Sequence, residues 1–321
     1  MKRILLSFFV IMLVCTASAA QNRTGVRLDP IGNAVLKARV EANASQGLTA
    51  FNVAFVEKSL PVLHDSVVTD RGRAAIEALW DTAPFRCPET RIDARLVQRP
   101  DQGYEIREVP LLTRLGDRSM HREEGVLLLT PSGLIDDLYF GLKAQRYRDL
   151  VSRGDTLVEF RQRQVMLDFV ENFRTAYNRK DLPFFQDVFS DNALIIVGRV
   201  VQVQQGSSAY LEGLPAERIE YIRRTKAQYL GKLREVFAKN EFINVGFEEI
   251  EIYQHPEFEE FYGVTTRQHW ASSSYSDSGY VFLMIEFEDE TRPTIHVRTW
   301  QPEHPQTRAI GLGDFNIIRE Q

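Results

Sequence analysis

Two short segments in the last sixty residues concentrate the side chains that can do chemistry. They are Thr265-Thr266-Arg267-Gln268-His269-Trp270 and Ile295-His296-Val297-Arg298-Thr299-Trp300. Both read as strands, in which successive side chains point to opposite faces. His296, Arg298 and Trp300 are therefore expected on one face, with Ile295, Val297 and Thr299 on the other. In the earlier segment Gln268 goes with Trp270, and Arg267 with His269. A concave face carrying these groups would offer an aromatic wall and one or two cationic donors, a combination suited to a carboxylate or another planar anion. The same face turned outward would be solvated or would pair with a second copy of the chain. Ile295 and Val297 look like the better core face.

Other clusters carry less. His269 and His296 lack the third and fourth ligands of a zinc site, so no metal and no cofactor is expected. Glu248, Glu249 and Glu251 with Glu257, Glu259 and Glu260 form an acidic hairpin without the spacing of a calcium loop, and read as a solvated face. Arg223, Arg224, Lys226, Lys232 and Arg234 read as helix-end and surface charges. Cys87, between Arg86 and Pro88, reads as a packing cysteine, since no base stands near it in sequence.

The start of the chain gives an address. Lys2 and Arg3 precede the eleven-residue apolar run Ile4 to Val14, and Ala17-Ser18-Ala19-Ala20 supplies small residues for cleavage. Such a run is shorter than the ~20 residues that span a bilayer. An export signal over residues 1–20 is expected, giving a periplasmic or secreted protein with no transmembrane segment in the mature chain. Lipidation at Cys15 is the alternative, opposed by Val14 where a small residue is expected. Losing Lys2 and Arg3 shifts the formal charge from −5 to −7. That acidic balance argues against a nucleic-acid partner. Cys87 is then the sole cysteine, so ordinary hydrophobic cores must hold the fold.

The elements that position these residues come in two sets. Leu36, Val40, Ala44, Leu48, Phe51 and Phe55 recur at three and four, predicting one helix over about Asn33 to Glu57 after a mobile lead-in at 21–31. A second helix, capped by Thr69 or Asp70, runs to Trp80. Strands are predicted over Ile92 to Val97, Tyr104 to Thr113, Glu124 to Thr130 and Leu134 to Phe140, the last two joined through Pro131-Ser132-Gly133. A polar joint at Ser152 to Asp155 separates a domain over 24–152 from one over 155–321. The second set has a helix from about Glu159 to Asn178, a short helix from Leu182 to Phe189, and a strand from Ala193 to Val203. After a Gly- and Ser-rich loop, Ile219 to Arg224 pairs back. Thr225 and Gln228 have the spacing of a capping box for a helix burying Leu230, Leu233 and Phe237. Strands over Ile243 to Tyr253, Phe261 to Trp270, Tyr280 to Glu288 and Thr294 to Gln301 close the set. Helices followed by antiparallel strands make an α+β chain.

The second set resembles the nuclear transport factor 2-like superfamily, in particular its SnoaL-like members, over about Glu159 to Pro302. The resemblance rests on Phe173-x-x-Ala176-Tyr177-Asn178 with Lys180-Asp181-Leu182, on Phe189-Ser190-Asp191-Asn192-Ala193, and on the closing Trp300-Gln301-Pro302. It implies a cone-shaped, curved antiparallel sheet packed on helices, and the element order of the first half implies a shortened copy in tandem. In ketosteroid isomerases of this superfamily, a hydrogen-bonding tyrosine and a catalytic carboxylate fall on Phe173 and Val197. Neither a phenyl ring nor an isopropyl group can replace them.

The expected function is accordingly non-catalytic binding of a small ligand or a protein partner at the cell envelope. Tyr177, Gln268, His269, Trp270, His296, Arg298 and Trp300 are the ligand-pocket candidates, and pairing of two copies through the sheet is a further expected contact. The alternative is a lyase or hydrolase using His269 or His296 as general base with Arg298 holding an anion. It requires a His and an Arg to converge inside one cavity.

Overall fold

The computed structural model describes residues 22–99, 101–116, 119–152, 157–202, 217–289, 292–303 and 310–315. The expected export signal, Cys15, most of the Ser152 to Asp155 joint and the 203–216 loop lie outside them. The chain is α+β and divides into two units between Tyr147 and Arg148. That division falls inside a helix, Ala144–Val151, which the sequence reading left unassigned. Among the described residues no helix is long and apolar enough to cross a membrane.

The first unit contains β1 (Gly25–Leu28), α1 (Ala34–Glu57), α2 (Asp70–Thr82), β2 (Phe85–Arg86), β3 (Arg91–Ala94), β4 (Leu96–Gln98), β5 (Tyr104–Arg114), β6 (Met120–Leu129) and β7 (Ile135–Gly141). The lead-in is thus partly a strand. β1 pairs in parallel with β3, and its alternate residues Val26 and Leu28 are buried. Two apolar positions are too few to signal a strand in sequence. The strand expected over Ile92 to Val97 is broken, with β4 pairing instead to β5. Val40, Ala44, Leu48 and Phe51 of α1 are buried as their spacing required. Phe51, Trp80 and Phe85 form an aromatic trio around the unit's core, with centroids 5.0 Å apart for both contacts of Phe85. Thr69 caps α2 by accepting from the Gly72 amide at 3.0 Å. Cys87 is buried in this core, and burial pushes its thiol up.

The helix Ala144–Val151 is α3. The rest of the second unit is α4 (Leu157–Asn178), α5 (Leu182–Val188), β8 (Phe189–Gln202), β9 (Glu217–Arg224), α6 (Lys226–Lys239), β10 (Ile243–Gln254), β11 (Phe261–Ser272), β12 (Ser276–Glu286) and β13 (Thr294–Pro302). The strands make one six-stranded sheet in the order β10-β11-β12-β13-β8-β9. All neighbours are antiparallel except β13 with β8.

The turn after α4 explains the Asn-x-Lys-Asp-Leu pattern. Lys180 adopts φ 56°, Asp181 caps α5 by accepting from the Phe184 amide at 3.0 Å, and the Lys180 ammonium donates to the carbonyl of Glu241 at 2.8 Å. Asn178 accepts from the Val245 amide at 2.8 Å while Arg174 donates to the Val245 carbonyl at 2.6 Å. These bonds clamp α4 onto β10. Thr225 and Gln228 form the expected reciprocal capping box, which starts α6.

Phe173 sits at the centre of the α4 face. It is fully buried and touches the rings of Phe169, Tyr177, Phe184, Phe185, Phe189 and Phe247 at 5.3–6.4 Å between centroids. Removing it leaves a cavity among six rings that pack against one another and cannot all close on it. Phe173→Ala is predicted to cost about 3–5 kcal/mol in denaturant unfolding. A near-zero change would mean that the ring is not part of this core.

Candidate functional site

Strand pairing settles which side chains share a face in the second unit. Trp270 is opposite Asp277, Gln268 opposite Gly279, Thr266 opposite Val281 and Val264 opposite Leu283. Val281 in turn is opposite Trp300, and Leu283 opposite Arg298. Paired residues point the same way, so Gln268, Trp270, Asp277, Arg298 and Trp300 share one face. That face is turned to the helices, since Trp270 meets Tyr177 of α4 at 5.7 Å and Arg298 meets Tyr229 of α6 at 5.1 Å.

His296 departs from the expected pattern. Met284 pairs with Val297 but Ile285 pairs with Ile295, which leaves His296 as the extra residue of a bulge. The bulge reverses the alternation. Ile295 joins Arg298 and Trp300 on the helix-facing side, and Val297 turns to the other side with Phe261, Phe282 and Met284. His296 packs edge-on against Phe261 at 5.5 Å and bonds Glu286 at 2.7 Å. His269 lies on that second face too, between Ser278 at 2.8 Å and Glu248 at 3.1 Å. Both histidines are thus separated from Arg298 by the sheet, and the convergence required of a His–Arg catalytic pair is not met.

The helix-facing side encloses a cavity of about 180 Å³. Its floor is Gln268, Trp270, Asp277, Arg298 and Trp300, with Val197 of β8 beside them. Tyr177 of α4 and Tyr229, Leu233 and Val236 of α6 form the roof, while Tyr275, Arg224 and Lys232 complete the lining. Of the seven residues singled out in the sequence, Tyr177, Gln268, Trp270, Arg298 and Trp300 come together here. Val197 places an isopropyl group in the lining, and Phe173 stays within the aromatic core. A Cβ on Gly279 would collide with the Gln301 carbonyl and crowd Trp300, so this glycine lets the two strands approach beneath the cavity.

Arg298 dominates the electrostatics. It is 6% exposed, and its Nε has no hydrogen-bond partner among the described residues. Among the described residues no carboxylate lies within salt-bridge reach of it. The Tyr229 ring lies against its guanidinium, and the Tyr177 and Tyr229 hydroxyls bond each other at 2.6 Å. Burial, with Tyr177 as neighbour, holds Tyr229 well above the usual phenol range despite the opposing pull of Arg298. Tyr229 therefore stays neutral. Tyr275, stacked on Trp270 at 6.1 Å, is pushed up to about 12, first by burial and then by the charge of Asp277.

Asp277, Tyr275, Tyr229 and Val236 are lining residues that the sequence did not single out, and Arg224 and Lys232, read there as helix-end and surface charges, also line the cavity. The strand expected from Tyr280 begins at Ser276 instead, and brings Asp277 opposite Trp270. The signal for Tyr229 was present: it lies one turn before Leu233 on a helix whose start was fixed by its cap. Burial alone raises the Asp277 carboxyl to about 6, and its Oδ1 lacks a partner. Groups of three or more His, Cys, Asp or Glu able to hold a metal are absent among the described residues.

No protein-family profile and no curated protein matches this sequence. Among solved structures, the chain is similar to an NTF2-like protein from Cytophaga hutchinsonii, at 13% identity and a TM-score of 0.33, covering 44% of this chain and 98% of that one. It is similar to an NTF-2 like protein of unknown function from Shewanella oneidensis, at 13% identity and a TM-score of 0.29, covering 43% and 96%. A protein from Bdellovibrio bacteriovorus matches at 11% identity and a TM-score of 0.34, covering 66% and 94%.

The raised Asp277 carboxyl has a pH signature. Its folded value of about 6 exceeds its unfolded value, so the folded state binds the proton more tightly. Its contribution is fully present below the unfolded value near 3.8 and is lost as pH rises through about 6. Relative to Asp277→Asn, the wild type is predicted to lose stability between about pH 4 and pH 6. Parallel unfolding curves for the two proteins across that window would contradict the burial of this carboxyl.

Proposed function

We propose that the second unit binds a small organic anion in the helix-facing cavity, with Arg298 as its anchor. The observation that carries this reading is a buried guanidinium in a cavity, with an Nε that no described residue partners and no carboxylate among the described residues in contact. A buried cation without a counter-ion is costly, by several kcal/mol before compensation. The Tyr229 face offsets part of that cost, and an anionic ligand would offset more. Arg224 and Lys232, also in the lining, add positive potential that favours anion entry. Trp270, Trp300 and Tyr275 supply flat walls for an apolar body.

The role proposed is binding rather than turnover. A lyase or hydrolase needs a base in this same cavity, and the strand histidines lie across the sheet from it. Asp277, titrating near about 6, is the lining group that suits such a role. Any catalytic reading therefore runs through Asp277 and not through His269 or His296.

Export of the protein is part of the proposal, supported by the basic start, the apolar run and the small residues of the first twenty positions. Mass measurement of protein from the envelope fraction of an expressing bacterium should show residues 1–20 missing. An intact Met1 there would contradict export by this signal.

Binding is tested by calorimetry with benzoate. The wild type should bind saturably, and Arg298→Gln should weaken binding about tenfold or more, the scale of a lost charge-assisted hydrogen bond. Equal affinity in both proteins would remove Arg298 as the anchor.

A further inference from the structure

The cavity contains unmet hydrogen-bonding capacity of two opposite kinds. Trp270 Nε1, Arg298 Nε and Trp300 Nε1 are buried donors without partners among the described residues, while Gln268 Oε1 and Asp277 Oδ1 are buried acceptors equally without partners there. All five belong to residues lining the same space. Buried polar groups in folded proteins are nearly always paired, so five orphans around one cavity describe the complement of a ligand. A simple carboxylate would satisfy the donors and leave the acceptors worse off, since Asp277 repels a second anion. A ligand that also carries an N–H or O–H group satisfies both sets.

Size and shape narrow the class. About 180 Å³ is close to the ~150 Å³ of a cavity that takes benzene, room for one substituted ring. Trp270 and Tyr275 are stacked with 20° between their planes, and Trp300 shares the floor, so the walls suit a flat body.

We propose that the ligand is a monocyclic aromatic acid bearing a hydroxyl or amino donor, its carboxylate on Arg298 and its donor on Asp277 and Gln268. This inference rests on the anion-binding reading above and specifies the ligand that the cavity selects. Gln268 and Asp277 then act as specificity determinants, because a site with a desolvated acceptor rejects the analogue that leaves it unpaired.

The test is calorimetry on the full chain with five probes: benzoate, phenol, and 2-, 3- and 4-hydroxybenzoate. At about pH 7.5, one isomer should bind about tenfold tighter than either benzoate or phenol, the scale of a hydrogen bond to a charged acceptor. In Asp277→Leu that advantage should vanish, every isomer binding no tighter than benzoate does to the same variant. Should the variant fail to fold, a pH series on the wild type replaces it. The advantage of the preferred isomer should shrink as pH falls through about 6, where Asp277 gains its proton. Benzoate binding as tightly as every isomer, or an advantage that survives both Asp277→Leu and acid, overturns this inference and leaves the anion reading standing. Failure of the wild type to bind any of the four carboxylates overturns both.

Discussion

The second unit is arranged around one uncomfortable charge. Arg298 is nearly fully buried on the helix-facing side of a sheet, and no carboxylate among the described residues answers it. What surrounds it is neutral and aromatic: the Tyr229 face at 5.1 Å and the hydroxyl pair of Tyr177 and Tyr229. Burial keeps Tyr229 protonated, so the ring against the guanidinium does not become a counter-ion. The stability that tolerates this charge comes from elsewhere. Phe173 and its six ring neighbours, with the α4–β10 clamp through Arg174 and Asn178, hold the helices against the sheet.

The bulge at His296 decides where the charge ends up. Without the extra residue, strict alternation would set Ile295 and Val297 together and leave Arg298 with His296. With it, Ile295 and Arg298 both face the helices, and Val297 joins the apolar cluster on the reverse side. One residue of slip thereby delivers a cation to the cavity and removes a histidine from it. The chemistry available in the cavity follows: anion recognition by arginine and indole, with a carboxyl near neutrality in place of an imidazole.

Much of this was legible in the sequence and some was not, for identifiable reasons. The three-four spacing from Leu36 to Phe55 and the Thr225–Gln228 cap place α1 and α6 almost to the residue, because each rests on local rules. Tyr177, Gln268, Trp270, Arg298 and Trp300 were visible as candidates by type and parity. His296 was misplaced because a bulge leaves no mark in a single strand's alternation. It shows only against Ile285 and Met284 of the partner. Asp277 was hidden in a serine-rich run before the strand expected from Tyr280, since pairing with Trp270 extends β12 beyond what its composition suggests. β1 was missed for the same reason, its strand state being set by β3 and not by its own four residues.

The central claim is that Arg298 receives an anion, and its own side chain can report this. In a ¹⁵N-labelled sample, the Nε–Hε resonance of Arg298 is followed while benzoate is added, with Arg298→Lys used to assign the signal. The account predicts a saturable shift of that resonance, together with the indole signals of Trp270 and Trp300. A resonance that stays fixed while benzoate perturbs residues elsewhere would contradict it.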